Sequence, residues 1–294
     1  MEKIEDPAIK AEEKKIKVKD GLELFVKILS KDNKANKTCL YIHGGAFAGN
    51  HTMIERPAKW LMQKDCFDKM ILIDRRGDGR SSNLSEKYTL KQESEDIKIL
   101  LDKLNIEEKL TAIGNSYGGP ISLLLSQIDN RIEKVILSAS SPTLWHAILP
   151  LHILFKINLL SPLIKFISYL ITGRKSKKFI DLDFIYDLKH SYEYHKIFST
   201  TLIHSSREEL KNIYLKIDSV LMRENLELSK EIVFEIPVLQ VIGDKDEFWG
   251  KSFPEEYLSN FPNLKRIELE GRKHRNVFME AEIYHKPMID FIKK

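Results

Sequence analysis

The sequence predicts an α/β protein: a mostly parallel, doubly wound sheet with an inserted helical cap. Three observations carry that prediction. Through the first half of the chain, short apolar runs rich in β-formers alternate with amphipathic stretches of helical period. Near residue 140 the alternation stops, and helical periodicity alone continues to about residue 221. Strand-like runs then resume at 237–242 and 264–269. Strands that alternate with helices pack as a parallel sheet with helices on both faces, so the late strands extend the early sheet across the insertion.

Each element follows in order. Residues 15–19 and 22–29 read as a leading antiparallel pair joined near Asp20-Gly21. Residues 38–42 form a buried strand running into His43-Gly44-Gly45. Residues 54–62 read as a helix, and 70–73 as a strand ending in Asp74. In the helix over 90–104, Ile97, Leu100, Leu101 and Leu104 share one face with charges between them. A strand at 109–113, a helix opened by Pro120 and a strand at 134–137 follow. After the insertion come the two late strands, a helix around 255–260 and a C-terminal helix from about Asn276. The domain division is therefore 1–140 for the first part of the core, 141–228 for the helical cap and 229–294 for the rest of the core.

Composition narrows the function classes. A hydrophobic content of 43% beside 31% charged residues is that of a soluble globular protein. The net charge of +4 is spread along the chain, which argues against nucleic acid as a partner. Cys39 and Cys66 make no disulfide framework, and with the charged start Met1-Glu2-Lys3 they point to the cytoplasm. His146, His152, His190, His195 and His204 show no ligand spacing with cysteine or carboxylates, so no metal and no cofactor is expected.

Gly114-Asn115-Ser116-Tyr117-Gly118-Gly119 carries the most information. It sets a serine between glycines at the junction of a strand-like and a helix-like run. So tight a turn strains the serine backbone and excludes a Cβ at the flanking glycines. It also exposes the serine Oγ at a helix N-terminus, where free N–H groups favour a developing oxyanion. A serine hydroxyl needs a base, and the base needs an orienting acid. Loops after the two late strands supply both, Gly243-Asp244-Lys245-Asp246 and then Gly271-Arg272-Lys273-His274, in the chain order Ser, Asp, His.

With these residues the sequence closely resembles the α/β-hydrolase superfamily, in the subset with a helical cap after the sixth strand. His43-Gly44-Gly45-Ala46-Phe47 resembles the oxyanion loop after the third strand, and Asp74-Arg75-Arg76-Gly77-Asp78-Gly79-Arg80-Ser81 the Asp-x-Arg-Gly-x-Gly-x-Ser signature after the fourth. The serine elbow and the two late loops complete the set. The resemblance implies Ser116 as nucleophile, His274 as general base and acid, and Asp246 as orienting carboxylate. It implies the main-chain N–H groups of Tyr117 and Gly45 as oxyanion donors, with Ala46 the alternative to Gly45. Asp244 rivals Asp246, and the family's Gly-x-x-Asp spacing favours Asp246. His43 is expected to brace its turn, and Asp74 and Arg76 to hold loops together. Phe47, Trp145 and Trp249 are the candidates for the substrate pocket.

Residues 144–172 are dense in large apolar side chains, but Lys156, Pro162 and Lys165 break them into runs of 13 or fewer. That is short of the roughly 20 needed to cross a bilayer. Two readings stay open: a cap roofing a lipophilic pocket, or a lid touching lipid, with the basic run 174–178 on anionic headgroups. Cap-bearing dehalogenases and epoxide hydrolases of this superfamily use Asp at the elbow, so Ser116 directs the expectation to acyl transfer. The leading expectation is hydrolysis of a small-molecule carboxylic ester with an apolar moiety. The alternative is a proline iminopeptidase-like aminopeptidase, which shares the His-Gly-Gly loop. Ala46-Phe47, Asn115 and Tyr117 depart from that family's pattern, and Glu193, Glu208 and Glu209 are its available amine-binding carboxylates. A carbon–carbon bond hydrolase and a non-catalytic ligand receptor complete the set. The sequence leaves the oligomeric state open.

Overall fold

The structure, a computed structural model, describes residues 9–31, 37–45, 49–143, 211–212, 215–216, 219–220, 222, 225, 227–246, 248–249, 253–274, 277 and 285–293. Two antiparallel strands lead the chain, β1 (Ile9–Lys19) and β2 (Leu22–Lys31), turning at Asp20-Gly21 where Gly21 takes a φ of 72°. Six further strands follow: β3 (Thr38–Ile42), β4 (Lys69–Ile73), β5 (Leu110–Asn115), β6 (Ile132–Ser138), β7 (Val238–Gly243) and β8 (Leu264–Leu269). They form one sheet in the order β1-β2-β4-β3-β5-β6-β7-β8. Every pairing from β4 to β8 is parallel, and β2 meets β4 antiparallel.

The strand period of two divides the core between the two faces of this sheet. On β3, Cys39 and Tyr41 join the cluster under α1 (Thr52–Gln63), with Ile54, Ala58, Leu61 and Met62. Phe291 and Ile292 of α4 (His285–Lys293) belong to the same cluster. Leu40 and Ile42 join the opposite cluster, with Ile97, Leu100 and Leu101 of α2 (Leu90–Lys103) and Ile121 and Leu125 of α3 (Gly118–Ile128). Strands buried on both faces are continuous apolar runs, as these are. A reciprocal capping box starts α2: Gln92 N–H donates to Thr89 Oγ1, and Thr89 N–H to the Gln92 side-chain oxygen.

Two details differ from the sequence expectation. The helix after the serine begins at Gly118, with Pro120 inside its first turn. The first four N–H groups of a helix lack intrahelical partners, so Pro120 there forfeits nothing. Glu255–Asn260 is a 3₁₀ helix, not an α-helix. It is a short piece boxed between Pro254 and the Phe261-Pro262 step, whose proline disfavours the α conformation at Phe261. At the C-terminus the described helix is His285–Lys293; Val277 is helical too, while 278–284 lie outside the described residues.

The chain leaves the sheet after β6 and returns at β7. Thr143 forms an antiparallel bridge with Glu227, and Leu228 N–H donates to the Pro142 carbonyl at 3.1 Å, so the two ends of the intervening segment lie side by side. Several outlying expectations fall outside the described residues: the tract 144–172, the run 174–178, Ala46, Phe47, Trp145, the five insertion histidines, Glu193, Glu208 and Glu209. Among the described residues no helix is long and apolar enough to cross a membrane.

Candidate active site

All the loops singled out in the sequence leave the carboxyl edge of the sheet. Gly45 follows β3, Arg75 follows β4, Ser116 follows β5, Asp246 follows β7 and His274 follows β8. In open α/β sheets this edge is where ligands bind.

Ser116 sits at a φ of 48°, a left-handed conformation costly for any residue with a Cβ. Its surroundings hold it there. Ser116 N–H donates to the Ser138 carbonyl at 2.9 Å, and the Ser116 carbonyl accepts from Gly119 N–H at 3.0 Å and Ser140 Oγ at 2.5 Å. The turn is so tight that a Cβ on Gly114 would lie 2.5 Å from the Gly119 Cα, and one on Gly118 would lie 2.5 Å from the Ile42 carbonyl oxygen. Glycine is therefore required on both sides by close approach of helix and strand.

His274 Nε2 lies 3.0 Å from Ser116 Oγ, and His274 Nδ1 lies 2.8 Å from Asp246 Oδ2. The carboxylate accepts only, so Nδ1 carries the ring proton and Nε2 presents its lone pair to the serine hydroxyl. The other Asp246 oxygen accepts the main-chain N–H groups of Phe248 and Trp249, both at 2.9 Å. Asp246 and His274 are 5% and 7% exposed, so the bond between them is shielded from water. Asp244 is used differently, accepting the Arg272 N–H at 3.1 Å and so tying the two late loops together. Of the two rival carboxylates, Asp246 is the one bonded to His274.

Tyr117 caps α3, and its N–H takes no hydrogen-bond partner among the described residues. Gly45 turns its loop with a φ of 82°. His43 is fully buried behind that loop. Its Nε2 accepts the Arg75 N–H at 3.2 Å, which fixes the tautomer and leaves Nδ1–H to donate to the Gly44 carbonyl at 2.6 Å. Burial, and then the Arg75 charge, press its pKa down to about 4, so the ring is a neutral brace. Asp74 also braces. Its Oδ1 accepts from His51 N–H at 2.6 Å and His51 Nδ1 at 2.8 Å, and its Oδ2 accepts the Arg80 N–H at 2.8 Å. Arg76 pairs with Asp96 and lies over the Tyr88 ring, 5.0 Å from its centroid.

Trp249 is buried with its ring centroid 6.4 Å from that of His274. Phe248, which sequence reasoning passed over, is nearer, at 4.8 Å. Its position between Asp246 and Trp249 was the available signal. Sequence reasoning also missed a buried ionic cluster behind Tyr117: Arg75, Asp78, Glu93 and Lys216, all under 5% exposed. Arg75 bonds Asp78 at 2.8 Å and faces Glu93 at 3.8 Å, while Lys216 pairs with Asp78. Among the described residues no group of three or more His, Cys, Asp or Glu side chains is arranged to hold a metal ion.

A family model described as the alpha/beta hydrolase fold matches residues 40–155. Solved structures agree over nearly the full chain. An esterase from Exiguobacterium antarcticum is 17% identical with a TM-score of 0.66, covering 95% of this chain and 99% of its own. The 2-hydroxy-6-oxo-6-phenylhexa-2,4-dienoate hydrolase from Rhodococcus sp. strain RHA1 is 16% identical with a TM-score of 0.72, covering 97% and 100%. The enol-lactonase from Burkholderia xenovorans LB400 is 17% identical with a TM-score of 0.65, covering 94% and 98%. No curated protein sequence matches the chain. At these identities the structural likeness speaks for the fold and leaves the substrate open. The chain therefore has the α/β-hydrolase fold, and residues 40–155 match the family model of that fold.

Proposed function

We propose that the protein is a serine hydrolase that cleaves carboxylic esters with an apolar moiety through an acyl-enzyme on Ser116. The observation that carries this is the unbroken hydrogen-bond chain from Asp246 through His274 to a strained, elbow-borne Ser116. In this reading Asp246 holds the imidazole with its lone pair at Nε2, and Nε2 takes the Oγ proton as Oγ attacks the ester carbonyl. The N–H groups of Tyr117 and Gly45 stabilise the tetrahedral oxyanion. His274 then protonates the departing alcohol, and a water activated by the same ring releases the acid. Phe248 and Trp249 against His274 give the reacting centre an apolar wall, which supports an apolar substrate.

A serine at the elbow favours acyl transfer over epoxide opening, which this superfamily performs with Asp at that position. Purified protein and a Ser116→Ala variant are assayed on p-nitrophenyl esters of short, medium and long acyl chains, beside proline p-nitroanilide. The expected result is ester turnover that disappears in the variant, with a chain-length optimum that sizes the pocket. Turnover of the proline amide alone would replace the proposal with an aminopeptidase. If a phosphonate also fails to label Ser116, the serine mechanism is wrong.

A further inference from the structure

Arg75 is a charged residue with no exposed surface, and burying a guanidinium is costly unless it is paired. Its pairing is uneven. Among the described residues Nε and Nη1 have no hydrogen-bond partner, and Glu93 stands off at 3.8 Å. Nη2 donates to Asp78 Oδ2 at 2.8 Å and to the Gly45 carbonyl at 2.5 Å. The guanidinium also lies over the Tyr117 ring, 4.8 Å from its centroid. One side chain thus touches both residues whose N–H groups would receive an oxyanion.

We propose that Arg75 is a positioning residue for the oxyanion hole, pinning the Gly45 carbonyl and backing the Tyr117 ring so that both N–H groups converge on one point. This rests on Ser116 being the nucleophile, as proposed above. A trans peptide points its N–H opposite its carbonyl, so a held carbonyl is an aimed plane. The plane before Gly45 is held by His43 on the Gly44 carbonyl, and that imidazole is itself held by the Arg75 N–H. The carbonyl after Gly45 is held by the Arg75 side chain. Arg75 therefore fixes both planes that meet at Gly45: its main-chain N–H, through His43, aims the Gly45 N–H, and its side chain sets the ψ of Gly45. Asp78 anchors the guanidinium, and Lys216, from the segment between β6 and β7, anchors Asp78. Asp78 also accepts the Gly49 N–H at 3.1 Å, so the far end of the oxyanion loop meets the same anchor. The planar guanidinium makes both bonds while its face lies over the Tyr117 ring; the shorter lysine ammonium keeps the charge but loses that face and reach.

The experiment compares Arg75→Lys, Glu93→Gln and the double variant Arg75→Met/Glu93→Gln with the parent on the best p-nitrophenyl ester. Thermal melts accompany each assay. The double variant removes one buried charge of each sign, so it tests the idea even where a single substitution misfolds. Loss of one oxyanion donor costs about 10²–10³ in kcat, and a misaimed donor about 10–10². The expected result is that kcat falls by about 10–10² in both Arg75 variants, with KM within about threefold, while Glu93→Gln keeps kcat within about threefold. Phosphonate labelling of Ser116 should slow in step with kcat. A folded Arg75 variant that keeps its kcat within twofold, or loses activity through KM alone, overturns the proposal. Parent protein whose Ser116 is not labelled overturns the serine mechanism instead, which separates the two failures.

Discussion

Changing Asp246 to Asn tests the acid assignment, and the bonds around the carboxyl set the size of the effect. One oxygen accepts two main-chain N–H groups at 2.9 Å, and the other accepts His274 Nδ1 at 2.8 Å. An asparagine has one oxygen for these two jobs. With its oxygen on the Phe248 and Trp249 amides, its NH₂ faces Nδ1 and forces the ring proton onto Nε2. The ring then donates to Ser116 Oγ and cannot take its proton. Flipping the amide restores the tautomer but turns NH₂ against two buried N–H groups, at about 1–3 kcal/mol for each group left unpaired. The productive state is thus disfavoured by about 2–6 kcal/mol, or about 30- to 10⁴-fold. In a serine-protease triad the same substitution lowers kcat by about 10⁴. Asp246→Asn should therefore lower kcat on a p-nitrophenyl ester by about 10²–10⁴, with KM little changed and the far-UV circular dichroism intact. Asp244→Asn keeps the acceptor for Arg272 N–H and should stay within about twofold. If Asp246→Asn stays within tenfold of the parent, or Asp244→Asn is the crippling change, the tautomer reasoning is refuted.

Two further outcomes concern stability. A Cβ on Gly119 would overlap the Ser140 Oγ that holds the Ser116 carbonyl and would lie 2.7 Å from the Ser140 Cβ, so Gly119→Ala should cost about 1–3 kcal/mol by urea denaturation. An unchanged midpoint would show that Ser140 moves aside freely. Burial pushes the Glu93 carboxyl from 4.5 up to about 7, overriding the attraction of Arg75 and Arg76. The native state then holds a proton that the unfolded chain has released between these values, so the contribution of Glu93 to stability is greatest below pH 4.5 and falls until about pH 7. The loss is about 3 kcal/mol, and Glu93→Gln should remove it: relative to the parent, the variant gains that amount between pH 5 and pH 8. An equal parent–variant difference at both pH values would refute it.

The fold was legible because strands buried on both faces must be short apolar runs, and the helices between them must carry a stripe. The predicted strand at 38–42 coincides with the observed β3, every residue of which is buried. The strand expected at 15–19 extends back to Ile9 as β1, because β1 is an edge strand with many exposed residues whose extent is set by pairing with β2, not by its own apolar pattern. The site was legible where chemistry dictates spacing. A Cβ on Gly243 would overlap the Arg272 main chain, so the loops bearing Asp246 and His274 meet on a glycine the sequence displays.

Arg75 and its neighbours were not legible, and the reason is physical. A charged loop residue defaults to solvent, and only the assembled sheet edge brings Asp78, Glu93 and Lys216 around it. One signal was nonetheless present. Carried one turn back from Ile97, the buried stripe of α2 reaches Ser94 and Glu93, which puts a carboxyl on a core-facing position. A buried carboxyl of that kind calls for a buried cation, and the Arg75-Arg76 pair after β4 lay within reach of the same sheet edge. Only geometry separates the two arginines. Arg76 pairs with Asp96 on α2, while Arg75 turns toward Gly45 and Tyr117. Two adjacent arginines of one loop thus join it to different partners, and which one reaches the site depends on the direction each side chain takes.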